Sequence, residues 1–225
     1  MKVVTVIPAF NEEKQIKNSI EEVKDICPCI VVVNDGSTDR TLEILKSISG
    51  ITVLNHMINR GQGAALRTGT EYALKQGADL VVHFDSDGQQ EPREIKEMVR
   101  VYQEKKVDIV MGSRFLGKKS NMPFLKKCVI KGGILFTYLH SGLRMTDAHN
   151  GFRVMNRKAA SKIRITQDRM AHASEIVAQV RTHKLRWVES PVTVRYTDYS
   201  LAKGQKSSQF MVICRDLFFA KWIKK

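Results

Sequence analysis

Cysteine is scarce in this chain of 225 residues. Cys27, Cys29, Cys128 and Cys214 are too few and too irregularly spaced for a disulfide framework, and Cys27 with Cys29 lack the second ligand pair a zinc site needs. Long apolar runs are missing too. Nothing reaches the roughly 18 consecutive apolar residues of a helix that spans a bilayer alone. The start, Met1 to Pro8, is apolar only briefly before Asn11-Glu12-Glu13, which excludes a secretory signal. No internal repeat and no low-complexity linker divides the chain. These absences read as a reduced, cytoplasmic protein with one continuous domain over residues 1–225.

Acidic residues are scarce in one half only. The chain carries 37 Lys and Arg against 23 Asp and Glu, a net charge of +14. Residues 1–112 hold 14 basic and 17 acidic side chains, a net of −3, and residues 113–225 hold 23 and 6, a net of +17. Halves of such different charge are expected to face different partners. A pI near 9.7 raises nucleic acid as one of them, but no nucleic-acid fold motif is present and aromatic residues make up only 7%. Nucleic acid is therefore set aside.

The first half alternates two patterns. Short β-branched runs at 3–7, 30–33, 52–54, 80–84 and 109–111 read as buried strands. Stretches at 12–25, 39–49, 64–76 and 92–105 carry helical spacing, with Ile16, Ile20 and Val23 on one face of the first. Alternation of this kind specifies an α/β fold, a mostly parallel central sheet flanked by helices. Ligands of such sheets bind outside the carboxyl ends of the strands. The polar clusters fall there: Pro8 to Glu13, Asn34 to Asp39 and Asp85 to Gln90. The second half is less regular, with strand-like segments at 186–189 and 192–196, a helical stretch around 172–182, and an amphipathic helix over 208–225.

Three clusters carry chemistry. Asp85-Ser86-Asp87-Gly88-Gln89 places two carboxylates one residue apart at a strand end, where they can share a hard divalent cation, and Gln89 can add a carbonyl oxygen. The same residues also make an ordinary surface turn. In Asn34-Asp35-Gly36-Ser37-Thr38-Asp39, Ser37 or Asp39 can cap the next helix. Asp35 is not needed for that, and its carboxylate can accept from a nucleobase N–H. Asn59-Arg60-Gly61-Gln62-Gly63-Ala64-Ala65 leads into a helix whose N-terminus favours anions. It is not a dinucleotide fingerprint, because Leu66 stands where a third glycine is required.

Taken together, these motifs resemble the family 2 glycosyltransferases with the Rossmann-like GT-A fold. The likeness runs over about residues 2–206 and begins with Ile7-Pro8-Ala9-Phe10-Asn11-Glu12. Three narrower signs point to the dolichyl- and polyprenyl-phosphate sugar transferases: Gln89 beyond Asp87, Gly112-Ser113-Arg114, and Asp147-Ala148-His149-Asn150-Gly151-Phe152-Arg153. The resemblance implies a UDP- or GDP-linked sugar in the strand-end cleft, with residues 1–112 as its binding half. It implies that Pro8, Ala9, Asn11, Glu12, Asp35, Gly63, Asp85 and Ser86 bind the donor. It implies Mg²⁺ or Mn²⁺ on Asp85, Asp87 and Gln89, and Asp87, Arg114, Asp147 and Arg153 at the reaction centre. Residues 113–225, with C-terminal acceptor-side helices, are then the basic half facing polyprenyl phosphate.

Two departures accompany the resemblance. Asn34 precedes Asp35 where many relatives carry two aspartates. The acceptor loop appears in altered form as residues 195–206, in which Arg195, Ser200, Lys203 and Lys206 can bind phosphate. A lipid phosphate acceptor is already anionic and needs no general base. A glycan hydroxyl acceptor needs one, and Asp147 is the available carboxylate, although it also suits a cap or turn. The Lys-rich apolar stretch 123–143 and the tail 210–225 fit a peripheral position on the cytoplasmic face of an anionic membrane. Packing on the core, or docking on a small membrane-anchoring protein, fits them as well. A homo-oligomer is left open.

Overall fold

Residues 1–117, 142–147 and 150–195, with positions 132, 134 and 138, are described by a computed structural model. In chain order the elements are β1 (Val3–Ala9), α1 (Ile16–Lys24), β2 (Ile30–Asp35), α2 (Thr41–Ser47), β3 (Thr52–His56), α3 (Gln62–Lys75), β4 (Leu80–His83), α4 (Glu94–Lys105), β5 (Ile109–Ser113), β6 (Arg153–Asn156), α5 (Arg157–Lys162), α6 (His172–Thr182) and β7 (Trp187–Pro191). One sheet takes all seven strands in the order β3-β2-β1-β4-β6-β5-β7. Every pairing is parallel except those of β6, which runs antiparallel between β4 and β5.

Both faces of the sheet centre are covered, which is why β1, β2, β4 and β5 are apolar over most of their length. Val4, Val6, Val31 and Val33 face one core, shared with Ala65, Leu66 and Ala73 of α3 and with Ile176, Val177 and Val180 of α6. Ile7, Ile30, Val32, Leu80 and Val82 face the other, closed by Ile16, Ile20 and Val23 of α1 and by Ile95 and Met98 of α4. On α3, a Cβ at Gly69 would stand 2.3 Å from Val6 Cγ1, so glycine lets this helix lie close against the sheet.

The parallel α/β plan matches the sequence reading, and the differences lie in the second half. Residues 153–162 form β6 and α5, which the sequence did not announce. Asn156 caps α5 by accepting from Ala159 N–H at 2.8 Å. The expected strand at 192–196 reduces, among the described residues, to a bridge between Gln90 and Val194. The tail 208–225 and nearly all of 123–143 lie outside the described residues.

Asp108 ties the late elements together. Its carboxylate accepts from Arg186 N–H at 2.9 Å, Asn156 Nδ2 at 3.2 Å and Lys158 Nζ at 3.2 Å. Burial alone would raise its pKa, but these donors prevail and hold it at about 2. A carboxyl depressed in the fold contributes stability above its unfolded pKa and loses it as pH falls through the folded value. Asp108→Ala is therefore expected to cost about 2–3 kcal/mol in urea denaturation at pH 7. The gap to the native chain should close toward pH 2. A gap independent of pH would mean that this carboxylate is not what matters.

Candidate active site

The parallel strands deliver their carboxyl ends to one rim, and short bonds lace the loops there. Asn11 N–H donates to Ser37 Oγ at 3.0 Å, and Asn11 Oδ1 accepts from Thr38 N–H at 2.8 Å. Asn11 sits at φ 52°, a left-handed conformation that asparagine tolerates well. Glu12 N–H donates to Thr41 Oγ1 at 2.8 Å, and Ser86 Oγ donates to the Pro8 carbonyl at 2.8 Å. Pro8, Asn11, Glu12 and Ser86 thus form one wall, with Ala9 buried behind it.

Asp85 and Asp87 follow β4. Gln62 Nε2, from the start of α3, donates to Asp85 Oδ1 at 2.7 Å, and Gln90 Nε2 donates to Oδ2 at 2.7 Å. Burial, and then repulsion from Asp87, pushes the Asp85 pKa up to about 7, against the pull of Arg153, Arg114 and Gln62. A buried carboxyl raised by a neighbouring carboxylate is an arrangement a divalent cation relieves, so the pair fits the Mg²⁺ or Mn²⁺ expected from sequence. Among the described residues no three His, Cys, Asp or Glu side chains gather around a common point. Protein ligation would then rest on Asp85 and Asp87 and leave positions for substrate oxygens. Beside Gln62, the side-chain amide that reaches Asp85 is that of Gln90, the residue after Gln89. Gln89 donates its backbone N–H to Asp87 Oδ1 at 3.0 Å.

Gly151, two residues before β6, closes this cluster. A Cβ there would stand 2.4 Å from Asp85 Oδ2. Gly151→Ala is expected to displace that carboxylate and lower turnover by about 10–100-fold with the thermal midpoint nearly unchanged. Steady-state rates beside a melting curve test this, and native turnover would show that Asp85 can move without harm.

The arginines stand nearby. Arg114, just past β5, grips Asp147 through Nε at 2.6 Å and Nη2 at 3.3 Å, and its N–H adds a third bond at 3.1 Å. The Asp147 side chain is 0% exposed. Glu189 of β7 fixes the far side of this pair, accepting from Thr146 N–H, Thr146 Oγ1 and Asp147 N–H at 2.8–3.0 Å. Arg153 is fully buried at the amino end of β6. Burial draws its pKa down to about 10 against Asp85 and Asp147, and among the described residues its Nη2 has no hydrogen-bond partner. An orphaned buried guanidinium nitrogen is suited to a phosphate oxygen. Its strand neighbour His83 bonds Thr70 Oγ1 at 2.9 Å, and burial, with Arg153 and His172, holds that ring well below the usual histidine range.

On the β2 side, Asp35 is buried. It accepts from Arg60 N–H at 3.0 Å, from Gly61 N–H at 2.7 Å and from His56 Nδ1 at 2.7 Å. Gly63 has a packing reason to be glycine, since a Cβ would stand 2.1 Å from the Gln167 carbonyl. The adjacent Ala64 N–H is already bound to the Asp168 carbonyl at 3.1 Å. Arg195 pins its backbone to the loop after β4, N–H to the Gln89 carbonyl at 2.8 Å, while its guanidinium pairs with Glu91 and Glu22. Ser200, Lys203 and Lys206 lie outside the described residues. Sequence reasoning missed Gln62, Gln90, His56 and Glu189. Gln62 and Gln90 stood within quoted clusters but were given no role there, while His56 and Glu189 stood in none.

An open, mostly parallel sheet with acids and arginines converging on its strand-end rim defines an α/β enzyme whose chemistry is done by loops. The chain belongs to glycosyl transferase family 2, whose family model matches residues 4–164. It is a glycosyltransferase. It is 32% identical to the UDP-N-acetylglucosamine–dolichyl-phosphate N-acetylglucosaminyltransferase of Methanococcus voltae, over 88% of each chain. It is 28% identical to the undecaprenyl-phosphate mannosyltransferase of Micrococcus luteus, over 86% of this chain and 83% of that one. Among solved structures it is similar to glucosyl-3-phosphoglycerate synthase of Mycobacterium tuberculosis, crystallised with Mn²⁺, UDP and phosphoglyceric acid. The TM-score is 0.68 at 17% identity, covering 96% of this chain and 78% of that one. The fold is thus the GT-A fold expected from the motifs.

Proposed function

We propose that this protein transfers a sugar, with inversion, from a nucleoside-diphosphate sugar to a polyprenyl phosphate of the dolichyl or undecaprenyl type. The observation that carries the reading is the convergence of Asp85, Asp87, Arg114, Asp147 and Arg153 on one rim, in a chain whose relatives are named for that reaction.

The charges support it. Three acids against two arginines leave the rim unfavourable to a diphosphate, and a divalent cation on Asp85 and Asp87 would reverse that sign. Such an ion supplies Lewis-acid stabilisation of the departing diphosphate. Arg153 Nη2, buried and without a partner among the described residues, is suited to hold a phosphate oxygen as negative charge develops. Arg114, clamped on Asp147 at the same rim, adds positive charge on the side where the acceptor phosphate would approach. A phosphate acceptor attacks as an anion, so no side chain has to remove a proton.

Transfer to a glycan hydroxyl would ask Asp147 to act as base. Both of its oxygens are turned to Arg114, which suits it to positioning instead. A single domain working at the cytoplasmic membrane face, held there by its basic half or a partner, completes the proposal. Among the described residues no helix is long and apolar enough to cross a membrane. The test is incubation with radiolabelled sugar nucleotides and polyprenyl phosphate, followed by chloroform extraction. Labelled lipid is expected; label entering only a glycan acceptor would overturn the lipid assignment.

A further inference from the structure

Two amides from different elements grip the Asp85 carboxylate, one on each oxygen. Gln62 Nε2, from the first residue of α3, donates to Oδ1 at 2.7 Å. Gln90 Nε2, from the loop after β4, donates to Oδ2 at 2.7 Å. An ionised carboxylate offers about two lone-pair directions on each oxygen. One amide per oxygen therefore steadies the group without exhausting its capacity to bind a cation.

Gln90 closes a ring on this one residue. Its Oε1 accepts from Asp85 N–H at 3.1 Å while its Nε2 holds Oδ2. Turning the amide over would set donor against donor and acceptor against acceptor, so the network fixes its orientation. Gln90 is only 5% exposed, and its backbone is pinned from the far side of the chain. It bridges Val194, and the neighbouring Gln89 carbonyl accepts from Arg195 N–H at 2.8 Å. Gln62 is anchored by the start of α3, where Ala64 N–H donates to the Asp168 carbonyl at 3.1 Å.

Turning the carboxylate about its own bond would break both amide contacts at once. Backbone also crowds it, since a Cβ on Gly151 would stand 2.4 Å from Oδ2 and 3.0 Å from Oδ1. A carboxylate free to turn must be ordered when a cation binds, and that ordering subtracts from affinity. One that its neighbours already hold loses less.

We infer that Gln62 and Gln90 are positioning residues, an amide clamp that holds the Asp85 carboxylate in the orientation that receives a divalent cation. This deepens the proposed function and rests on its reading of Asp85 and Asp87 as metal ligands. Neither glutamine is itself a ligand; both act through Asp85.

Titration of the full chain with Mn²⁺ at a single pH, read by loss of the free-ion resonance signal, tests this independently of turnover. Gln62→Met and Gln90→Met keep the length of each side chain and remove its amide. Each is expected to weaken Mn²⁺ binding about tenfold or more while circular dichroism stays native. Turnover should fall with it and climb back as Mn²⁺ is raised, which a lesion confined to packing would not do. Native Mn²⁺ affinity in either folded variant overturns the inference and leaves the metal reading standing. So does lost turnover that added Mn²⁺ fails to raise. Should a variant not fold, the side-chain amide protons of that glutamine in the native chain decide. Slow exchange with solvent, and a shift on adding Mg²⁺, bear out the clamp; exchange as fast as that of an exposed glutamine overturns it. No Mn²⁺ binding by the native chain overturns both readings.

Discussion

Asp87→Ala is expected to cut turnover by on the order of a thousandfold while shifting the thermal midpoint by only a few degrees. The reason lies in what Asp87 does to its neighbour. Burial and the Asp87 charge together keep the Asp85 carboxyl at about 7, so below that pH a cation must displace a proton to bind. Mn²⁺ affinity of the native chain should therefore rise about tenfold per pH unit up to about pH 7 and level off above it. In Asp87→Ala one ligand is gone and so is its repulsion. Affinity should fall throughout, and the break should move to lower pH. Loss of the free Mn²⁺ resonance signal on binding, followed between pH 5.5 and 8.5, reads both effects. Native turnover in Asp87→Ala would remove the metal from this site.

Arg114→Ala should be nearly as damaging, for a different reason. It strips the counter-charge from Asp147, whose side chain is 0% exposed, and breaking a buried pair in this way costs about 3–5 kcal/mol. Arg114→Lys keeps a charge and loses the fork that spans both Asp147 oxygens, so it should fold better yet remain about 10–100-fold slow, with the rise concentrated in KM for the lipid phosphate. The double change Arg114→Met with Asp147→Leu separates the two roles. It should recover much of the lost stability, because no charge is left buried alone, and none of the activity. Recovery of activity in that double variant would show that Arg114 serves only the fold.

These effects were unevenly legible in the sequence. Strands β1, β2, β4 and β5 announced themselves because both faces are covered there and most of their residues are apolar, while β3, half-buried at the sheet edge, showed only through Thr52, Val53 and Leu54. Strand β6 did not, since four residues beginning with an arginine read as a loop. Its burial depends on Asp85 and Asp147, acids brought from elsewhere by the fold. The carboxylates at the end of β4 were visible from spacing alone. Their amide partner Gln62 was not, because it comes from the start of another helix and glutamine has no spacing rule. Glycine at position 63 suggested ligand approach, yet the contact that demands it is the Gln167 carbonyl. Arg195 suggested phosphate, but the acids that occupy it, Glu22 and Glu91, are remote in sequence.

The reversed strand has a further consequence, for the order in which the chain can assemble. Strand β5 pairs with β6 and β7 and with no other strand, and both are made later in synthesis. As the chain leaves the ribosome, the four strands β3-β2-β1-β4 can close around their local crossovers, but β5 must wait about 40 residues for a neighbour. Until then the β4 edge stays open, a site for mispairing with other nascent chains. The charge boundary at residue 112 therefore does not divide two folding units, because β5 belongs to the acidic half by sequence and to the basic half by pairing.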